Sequence, residues 1–528
     1  MFTALLLVVV LVNGLGAFWP GPVVQADLAD GGTILGKWIR QETDPDTKAR
    51  TVQFKTANRE LDPQRMDFHW YPMEAIRHLS YPPNVFVLER VGNGDFYGFL
   101  EDVSAPCLVF ASGDDAKKRF EAAIAEVRRQ QAAEVQTIAR RLSSLNYELQ
   151  AVRHAILRLE YRRKRAAQGP ASADSVVSVE SDDRLAQLRR EEQRIKDQSD
   201  GLVAEKLARE EALRRNVALF RVGSGQVHPI PLVDIVRWYQ PNAMGLAAKL
   251  GHYLSKIWEL LTEEPRESNT EGGLFPAIFG TVMLVFLMSV ACFPLGVLAG
   301  IYLGEYAREG TLVRLVRIAV NNLAGIPSIV YGIFGLGFFI YGLGGLVDRW
   351  FFPERVAAGI PTYGTGGILW ASMTLGLLTL PVVIVATEEA LRTIPRGFRE
   401  ASYALGATKL QTLVRVLLPM ASPGMMTGFI LAMARAAGEV APLMITGVVK
   451  LAPTLPLDGH FPFFHLDRKF MHLGFHIFDI GFQSPNVEAS KPMVYVTTLL
   501  LVLIVLVMSS AAIYLRNQMR KRYQSRTV

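Results

Sequence analysis

Cysteine is nearly absent from this chain, with two in 528 residues. Cys292 falls inside an apolar run and Cys107 lies well outside it, so the two belong to different compartments and no intrachain disulfide is expected. Neither belongs to a zinc-ligand spacing, so no metal is expected. The phosphate-cradling pattern G-x-x-x-x-G-K-[ST] is also missing, which excludes nucleotide hydrolysis by the chain itself. Charge is missing locally: residues 274–303 and 493–515 are almost devoid of it, whereas 112–220 are dense in Arg, Lys and Glu. Half of the residues are hydrophobic and one-fifth are charged, with a net charge of +7. That is too apolar for a soluble protein and too charged for a purely membrane-embedded one. The basic excess gathers beside apolar runs, so it does not point to nucleic acid.

What is present begins with apolar runs. A helix needs about 20 apolar residues to cross a bilayer core, and six segments come close: 1–18, 274–303, 321–345, 367–388, 420–449 and 493–515. The first is the weakest, short and without a basic flank. A signal peptide is the alternative, but no small-x-small cleavage site follows, and Phe18-Trp19-Pro20 reads as an aromatic interfacial belt. A basic tail at 516–528 (Arg516, Arg520, Lys521, Arg522, Arg526) places the C-terminus on the cytoplasmic side. Counting back through six spans puts 304–320 (Arg308, Arg314, Arg317) and 389–419 (Arg392, Arg396, Arg399, Lys409, Arg415) on that side too, with the N-terminus, and leaves 19–273 outside.

The outer part reads as a β-rich domain at 19–114, with strands expected at Thr33–Arg40, Thr51–Thr56, Val85–Arg90 and Phe96–Asp102 between Pro, Gly, Asn and Asp turns. From about 115 the apolar positions Ile124, Val127, Val135, Ile138, Leu142, Leu145, Leu149, Val152, Ile156 and Leu159 are spaced by threes and fours, with Gln131 in the one skipped place. That is a heptad seam. A weaker seam at Leu185, Leu188, Ile195 and Leu202 follows a Gly169-Pro170 linker. The two predict an antiparallel coiled-coil hairpin over 115–216, with a first arm of roughly 75 Å. Strand-like residues resume at Val217–Val222 and Val227–Val236, so the hairpin is inserted into the β-domain, which returns over 217–273. Such an arm is a spacer or a partner-binding element.

The stretch Arg399–Pro419 sits between two spans and carries a helix-turn-helix pattern broken at Gly406. Pro395 suits a first helical turn, and a second amphipathic turn runs through Leu410, Leu413, Val414 and Leu417 to Pro419. Its pattern Glu400-Ala401-Ser402-x3-Gly406-x9-Val416-x-Leu418-Pro419 resembles the signature loop of ATP-binding-cassette importer permeases, with Ser402 and Val416 in place of the usual Ala and Ile. Three further runs resemble the phosphate-transport permease A subunit (PstA) family: Asn322-Leu-Ala-Gly325-Ile-Pro327-Ser328-Ile-Val-Tyr331-Gly332, Leu380-Pro381 to Leu391, and Ala434-Arg435-Ala-Ala-Gly438-Glu439-Val-Ala-Pro442-Leu. The likeness covers about 274–515, with Trp258–Pro265 upstream, and leaves out the coiled coil.

The resemblance implies an all-α polytopic membrane protein with six transmembrane helices and the importer permease fold, to which the extracytoplasmic domain is added between helices 1 and 2. It implies a permease subunit without its own ATPase site, carrying inorganic phosphate across the inner membrane. The expected partners are a second permease subunit, two ATPase subunits that bind ATP and Mg, a periplasmic phosphate-binding protein and the lipid bilayer. Glu400, Ala401, Gly406 and Pro419 would couple to the ATPase. Import of molybdate or sulfate, and a scaffold anchored by the spans, are the alternatives.

Residue chemistry points to the following span. Arg435 and Glu439 lie four apart, on one helical face, in mid-span. An ionised group there costs at least ~2.5–3.5 kcal/mol unless paired or facing a wet pathway. The planar fork of Arg435 suits an oxyanion, with Glu439 holding it in place. Gly438 and Pro442 would loosen that helix. Asn322 and Ser328 are weaker candidates for the pathway lining, beside Asn321, and Glu388 and Glu389 read as a solvated span end. In the last outer loop His472 and His476 have helical metal-ligand spacing, near His460, His465 and Asp479, but the surrounding phenylalanines read as an interfacial segment.

Overall fold

The computed structural model describes residues 2–43, 49–62, 67–106, 115–166, 175–266, 269–484 and 487–524. Cys107, the Gly169-Pro170 linker and Arg526 lie outside the described residues.

Two five-stranded antiparallel sheets make the N-terminal domain. One places Val24–Leu28 between Thr33–Thr43 and Ile76–Ser80, with Arg50–Lys55 and Phe68–Pro72 beyond Thr33–Thr43. The other runs in the order Ile235–Tyr239, Val85–Arg90, Phe96–Ser104, Val217–Arg221, Val227–Pro231. The expected strand at Val227–Val236 is therefore two strands, parted by the turn at Leu232–Asp234. Phe96–Ser104 and Val217–Arg221 are neighbours, paired from Phe99 with Arg221 to Ser104 with Val217. The described helices between them form an arm rooted on that sheet.

The arm uses its apolar seam in two ways. Phe120, Ile124, Val127 and Val135 join Phe86, Phe96 and Phe220 in the sheet's core, so the root of the first helix is held by the sheet. A wide π-helical turn at Gln131–Val135 coincides with the skipped seam position. Beyond it, Ile156 packs with Leu185 and Leu188 of the returning helix Ser175–Arg214. Ion pairs Arg163–Asp182, Arg153–Glu192 and Arg209–Glu134 step in opposite directions along the two helices, which makes them antiparallel.

An amphipathic helix, Leu246–Thr262, joins this domain to the spans. Its polar side carries Lys256, bonded to Glu89 at 2.8 Å and to Glu259 at 3.0 Å, while Glu259 also pairs with Arg237 and Arg266. Burial of so many charges is sustained because each has an opposite neighbour.

Among the described residues five helices are long and apolar enough to cross a membrane: Phe275–Tyr306, Ser328–Phe351, Ile368–Arg392, Lys409–Gly438 and Val487–Lys521. Six were expected. Phe2–Gly16 has 15 residues, about 22 Å of helix against a core of about 30 Å. It lies along the Val487 helix, where a Cβ on Gly14 would come within 3.2 Å of Tyr495 O.

Two other expected spans are corrected at their ends. The run from 321 is broken: Thr311–Leu323 is a separate amphipathic helix, and Ser328–Phe334 begins afresh after Pro327, which disfavours helical geometry before it. The run 420–449 ends its long helix at Gly438 and restarts as the short helix Ala441–Thr446. Alternation of the long helices puts the N-terminal domain, residues 353–367 and residues 447–484 at one end, and 307–327 with 393–408 at the other. The core of the spans is built from Met288, Ile368, Leu375, Val383, Ala432, Ala436 and their neighbours.

Candidate functional site

At the end away from the β-domain, the chain leaves the Ile368 span through Pro395 and forms the helix Arg396–Ala404. Its termination is built by hydrogen bonds from Gly406 N to Tyr403 O (2.9 Å) and from Ala407 N to Ser402 O (3.1 Å), with Gly406 at φ +80°. This is the Schellman pattern, which puts its last residue in the left-handed region that glycine occupies without a Cβ penalty. Thr408 opens the next helix with a capping box: its hydroxyl accepts from Gln411 N, and the Gln411 side chain accepts from Thr408 N at 2.9 Å. Ser402 Oγ and Thr412 Oγ1, 2.8 Å apart, tie the two arms.

Pro419 does not mark a boundary. The helix from Lys409 runs through it to Gly438, because a π-helical turn at Leu413–Leu417 directly precedes the proline, whose missing N–H would leave a regular ladder incomplete.

The hairpin is pinned by Arg399. Its Nη1 donates to Ile394 O at 2.9 Å and its Nη2 to Leu391 O at 2.8 Å, satisfying carbonyls at the end of the Ile368 span. Its Nε also donates to Glu305 of the Phe275 span at 3.2 Å. Lys409 Nζ lies 4.4 Å from the centroid of the Tyr306 ring. What the hairpin presents outward is apolar: Leu405 is 89% exposed, and Phe398, Tyr403, Leu410 and Val414 are exposed as well. Glu400, Ala401 and Gly406 are exposed on the same hairpin, whereas Pro419 is half-buried. Apolar surface gathered on a rigid, polar-anchored loop marks an interaction face.

Glu388 is not a solvated end. It is 8% exposed and accepts from Arg317 at 2.9 Å and Arg392 at 2.6 Å. It closes a cleft of about 150 Å³ lined by Leu303, Arg317, Asn321, Ile384, Glu388 and Arg392. Both Asn321 and Asn322 are exposed, and only Asn321 lines that cleft. The spacing of Glu388 and Arg392 was readable as a helical pair; the reach of Arg317 across the chain was not.

The second constellation lies in the Lys409 helix. Gly424 and Gly428 have no room for a Cβ against Ala390 and Ala386. That antiparallel register, carried on, sets Arg435 level with Thr379, near the middle of the 25-residue Ile368 span. Arg435 Nε and Glu439 Oε1 are 3.5 Å apart, an ion pair longer than a good hydrogen bond. Glu439, however, does not share a helical face with Arg435. It follows the helix in extended geometry (φ −78°, ψ 137°), because the helix breaks at Gly438 and Pro442 begins the next one. Gly332 meets this break, since a Cβ there would fall 2.8 Å from Pro442 Cα. Ser328 lies one turn away on that same face. The structure thus gathers Arg435, Glu439 and the Ser328 helix around one mid-span break, and leaves Asn322 elsewhere.

His472 and His476 of the last outer loop are structural and buried rather than interfacial. His472 is not on the helix with His476: it is the N-cap, in extended geometry, and its Nδ1 accepts from Gly474 N. The ring nitrogens of His476 meet Asn269 O at 3.1 Å and Thr497 Oγ1 at 3.2 Å. Burial pushes the two imidazoles down, to about 3 and about 4.

Residues 296–521, which hold the hairpin, the cleft and the mid-span break, match the family described as "Binding-protein-dependent transport system inner membrane component". The phosphate transport system permease protein PstA of Mycobacterium leprae is 32% identical over 234 residues, 44% of this chain and 69% of that relative. The chain belongs to the binding-protein-dependent transport permease family. Its fold is accordingly that of an importer permease with helical membrane segments, preceded by a β-rich domain that lies before the matched residues. PstA 1 of Mycobacterium tuberculosis is 38% identical over 174 residues, 33% of this chain and 51% of that relative. PstA of Yersinia pestis is 37% identical over 191 residues, 36% of this chain and 58% of that relative. The chain spans about half the length of the M. tuberculosis relatives it matches.

Proposed function

We propose that this permease is one membrane subunit of an ATP-driven importer of inorganic phosphate. The observation that carries the reading is the Arg396–Thr412 hairpin: two capped helices, bolted to two spans by Arg399, with an exposed apolar face around Leu405. A partner ATPase seats on that face, through Glu400, Ala401, Phe398 and Leu405, and supplies ATP and Mg. The full assembly holds two ATPases, a second permease subunit and a periplasmic phosphate-binding protein. Phe2–Gly16, short of the core thickness, is the first of six spans through local thinning of the bilayer, both termini and the hairpin are cytoplasmic, and the β-domain with its coiled-coil arm stands in the periplasm. Arg435 meets the passing oxyanion with the Nη atoms that Glu439 does not engage, since Glu439 lies on the Nε side. Substrate class follows from the relatives named phosphate permeases, with Ser328 as a further polar contact.

The test is Gly406→Val in the reconstituted complex. A β-branched residue at φ +80° is strained, so hairpin docking, phosphate uptake and phosphate-stimulated ATP hydrolysis all fall together. Uptake unchanged, with partners of the outer arm lost instead, would favour a scaffold. Stimulation by molybdate or sulfate in place of phosphate would move the substrate assignment.

A further inference from the structure

The arm does not stand clear of the spans. Tyr147, in the helix Gln136–Ala166, stacks its ring on His460 with centroids 3.6 Å apart and planes 9° from parallel. Its hydroxyl donates to Asp458 and accepts from Arg468 Nη2 at 2.8 Å. Asp458 is the hub of this contact. It also accepts from Arg468 Nη1 at 2.6 Å and from His460 N at 2.9 Å, and meets His465 Nε2 at 2.9 Å. Burial raises the Asp458 carboxyl, but these donors, Tyr147 first, outweigh it and hold the group well below the usual carboxylate range.

Eleven residues on, three helical turns and so on the same face, Arg158 Nε donates to Glu354 at 3.1 Å. Glu354 is 8% exposed and belongs to the short helix Pro353–Ala357. Tyr147 and Arg158 therefore form a second stripe, distinct from the seam of Val152, Ile156 and Leu159 that packs on the returning helix.

The two footholds are the outer connections of the spans. Pro353–Ala357 links the Ser328 span to the Ile368 span. The segment 455–468 descends from the mid-span break, and its Arg468 O and Leu466 O accept from Ile368 N and Leu369 N at 2.9 and 3.0 Å, capping the Ile368 span. An arm rooted in the β-sheet and attached to both connections would oppose their separation.

We propose that the arm is an intramolecular clasp on the outer mouth of the permease: Tyr147 and Arg158 hold the 455–468 and 353–357 connections together, and both must part for the Arg435–Glu439 break to open outward. The transport consequence rests on the permease reading given above, whereas the docking itself does not.

The experiment places Arg158→Cys and Glu354→Cys in the full-length protein with Cys107 replaced by Ser, and treats the assembled, reconstituted complex with a short, reducible bis-thiosulfonate cross-linker. The pair cross-links in the resting complex, phosphate uptake falls about tenfold, and reduction restores it, while each variant with one introduced cysteine beside the buried Cys292 transports normally. A complementary variant, Tyr147→Ala with Arg158→Ala, raises ATP hydrolysis in the absence of binding protein about fivefold. Failure to cross-link would overturn the docking, and a cross-linked complex that still transports at full rate would overturn the clasp. If the uncross-linked complex carries no phosphate at all, the substrate reading fails, while cross-link formation and the basal ATP hydrolysis still decide the clasp.

Discussion

Replacing Arg399 by Ala removes the bolt that fixes the hairpin to the spans, and its cost follows from what is left behind. Glu305, whose side chain is 10% exposed, loses its cation, and the carbonyls of Leu391 and Ile394 lose their donors. Breaking a buried pair by removing one partner costs about 3–5 kcal/mol. Partial exposure of the Arg399 side chain at 18%, and water reaching the two carbonyls, place the expected loss near the lower bound, about 3 kcal/mol. That is a factor of about 150 in the equilibrium between docked and undocked hairpin. Hydrogen exchange reads it directly: amides of Arg396–Ala404 should lose protection by that order, while those of the Ile368 span above Leu391 keep theirs. Arg399→Lys retains the charge but not the fork, so it should recover only part of the loss. Glu305→Gln in the Arg399→Ala background should restore part of the protection by removing the stranded charge. Protection within twofold of the parent protein in Arg399→Ala would refute the bolt, and with it the premise that hairpin motion reaches the Phe275 span.

Three further outcomes are expected. Gly332→Ala forces a Cβ against the Pro442 backbone, 2.8 Å away, and should cost about 1–3 kcal/mol of thermal stability; an unchanged melting temperature would mean that the two helices do not pack so closely. Arg435→Lys keeps the charge and loses the planar fork, so phosphate uptake should fall about tenfold with ATPase assembly intact, and full uptake would show that a point charge suffices. His252 is held down, to about 4, by burial first and then by Arg237, Lys256 and Lys37. The unfolded imidazole takes up a proton near 6.5 while the folded one does not. Stability of the β-domain should therefore be full above pH 6.5 and fall towards pH 4, measured as melting temperature, with the dependence flattened in His252→Gln.

How much of this was legible differs by element. Val85–Arg90 and Phe96–Ser104 were readable because β-branched and aromatic residues sit between turn signals. Val24–Leu28 was not, although it lies inside its sheet, because VQADL is short and its inward residues are only Val24 and Ala26. Phe68–Pro72 and Ile76–Ser80 are edge strands rich in polar or proline residues, which carry little alternation. The hairpin was readable to the residue at Gly406, since its turn is local chemistry. Ion pairs such as Arg399 with Glu305 and Arg317 with Glu388 join residues far apart in the chain, and no spacing rule reaches them. The seam of the arm was visible, but the division of its labour was not: periodicity says that a face is buried without saying whether sheet or helix covers it.

The helix that begins at Lys409 passes two prolines, Pro419 and Pro423, without a break and carries Arg435 on the same rod. From Lys409 to Arg435 it extends about 39 Å, so the seat of the hairpin and the mid-span cation are the two ends of one crankshaft. In a rigid helix a turn imparted at the hairpin would arrive at Arg435 as a turn of the guanidinium, and the π-helical segment Leu413–Leu417 is where such a torque would slip. On the proposed reading, in which an ATPase seats on the hairpin, rotation of this one helix would redirect a charge at mid-depth without any helix being displaced as a whole.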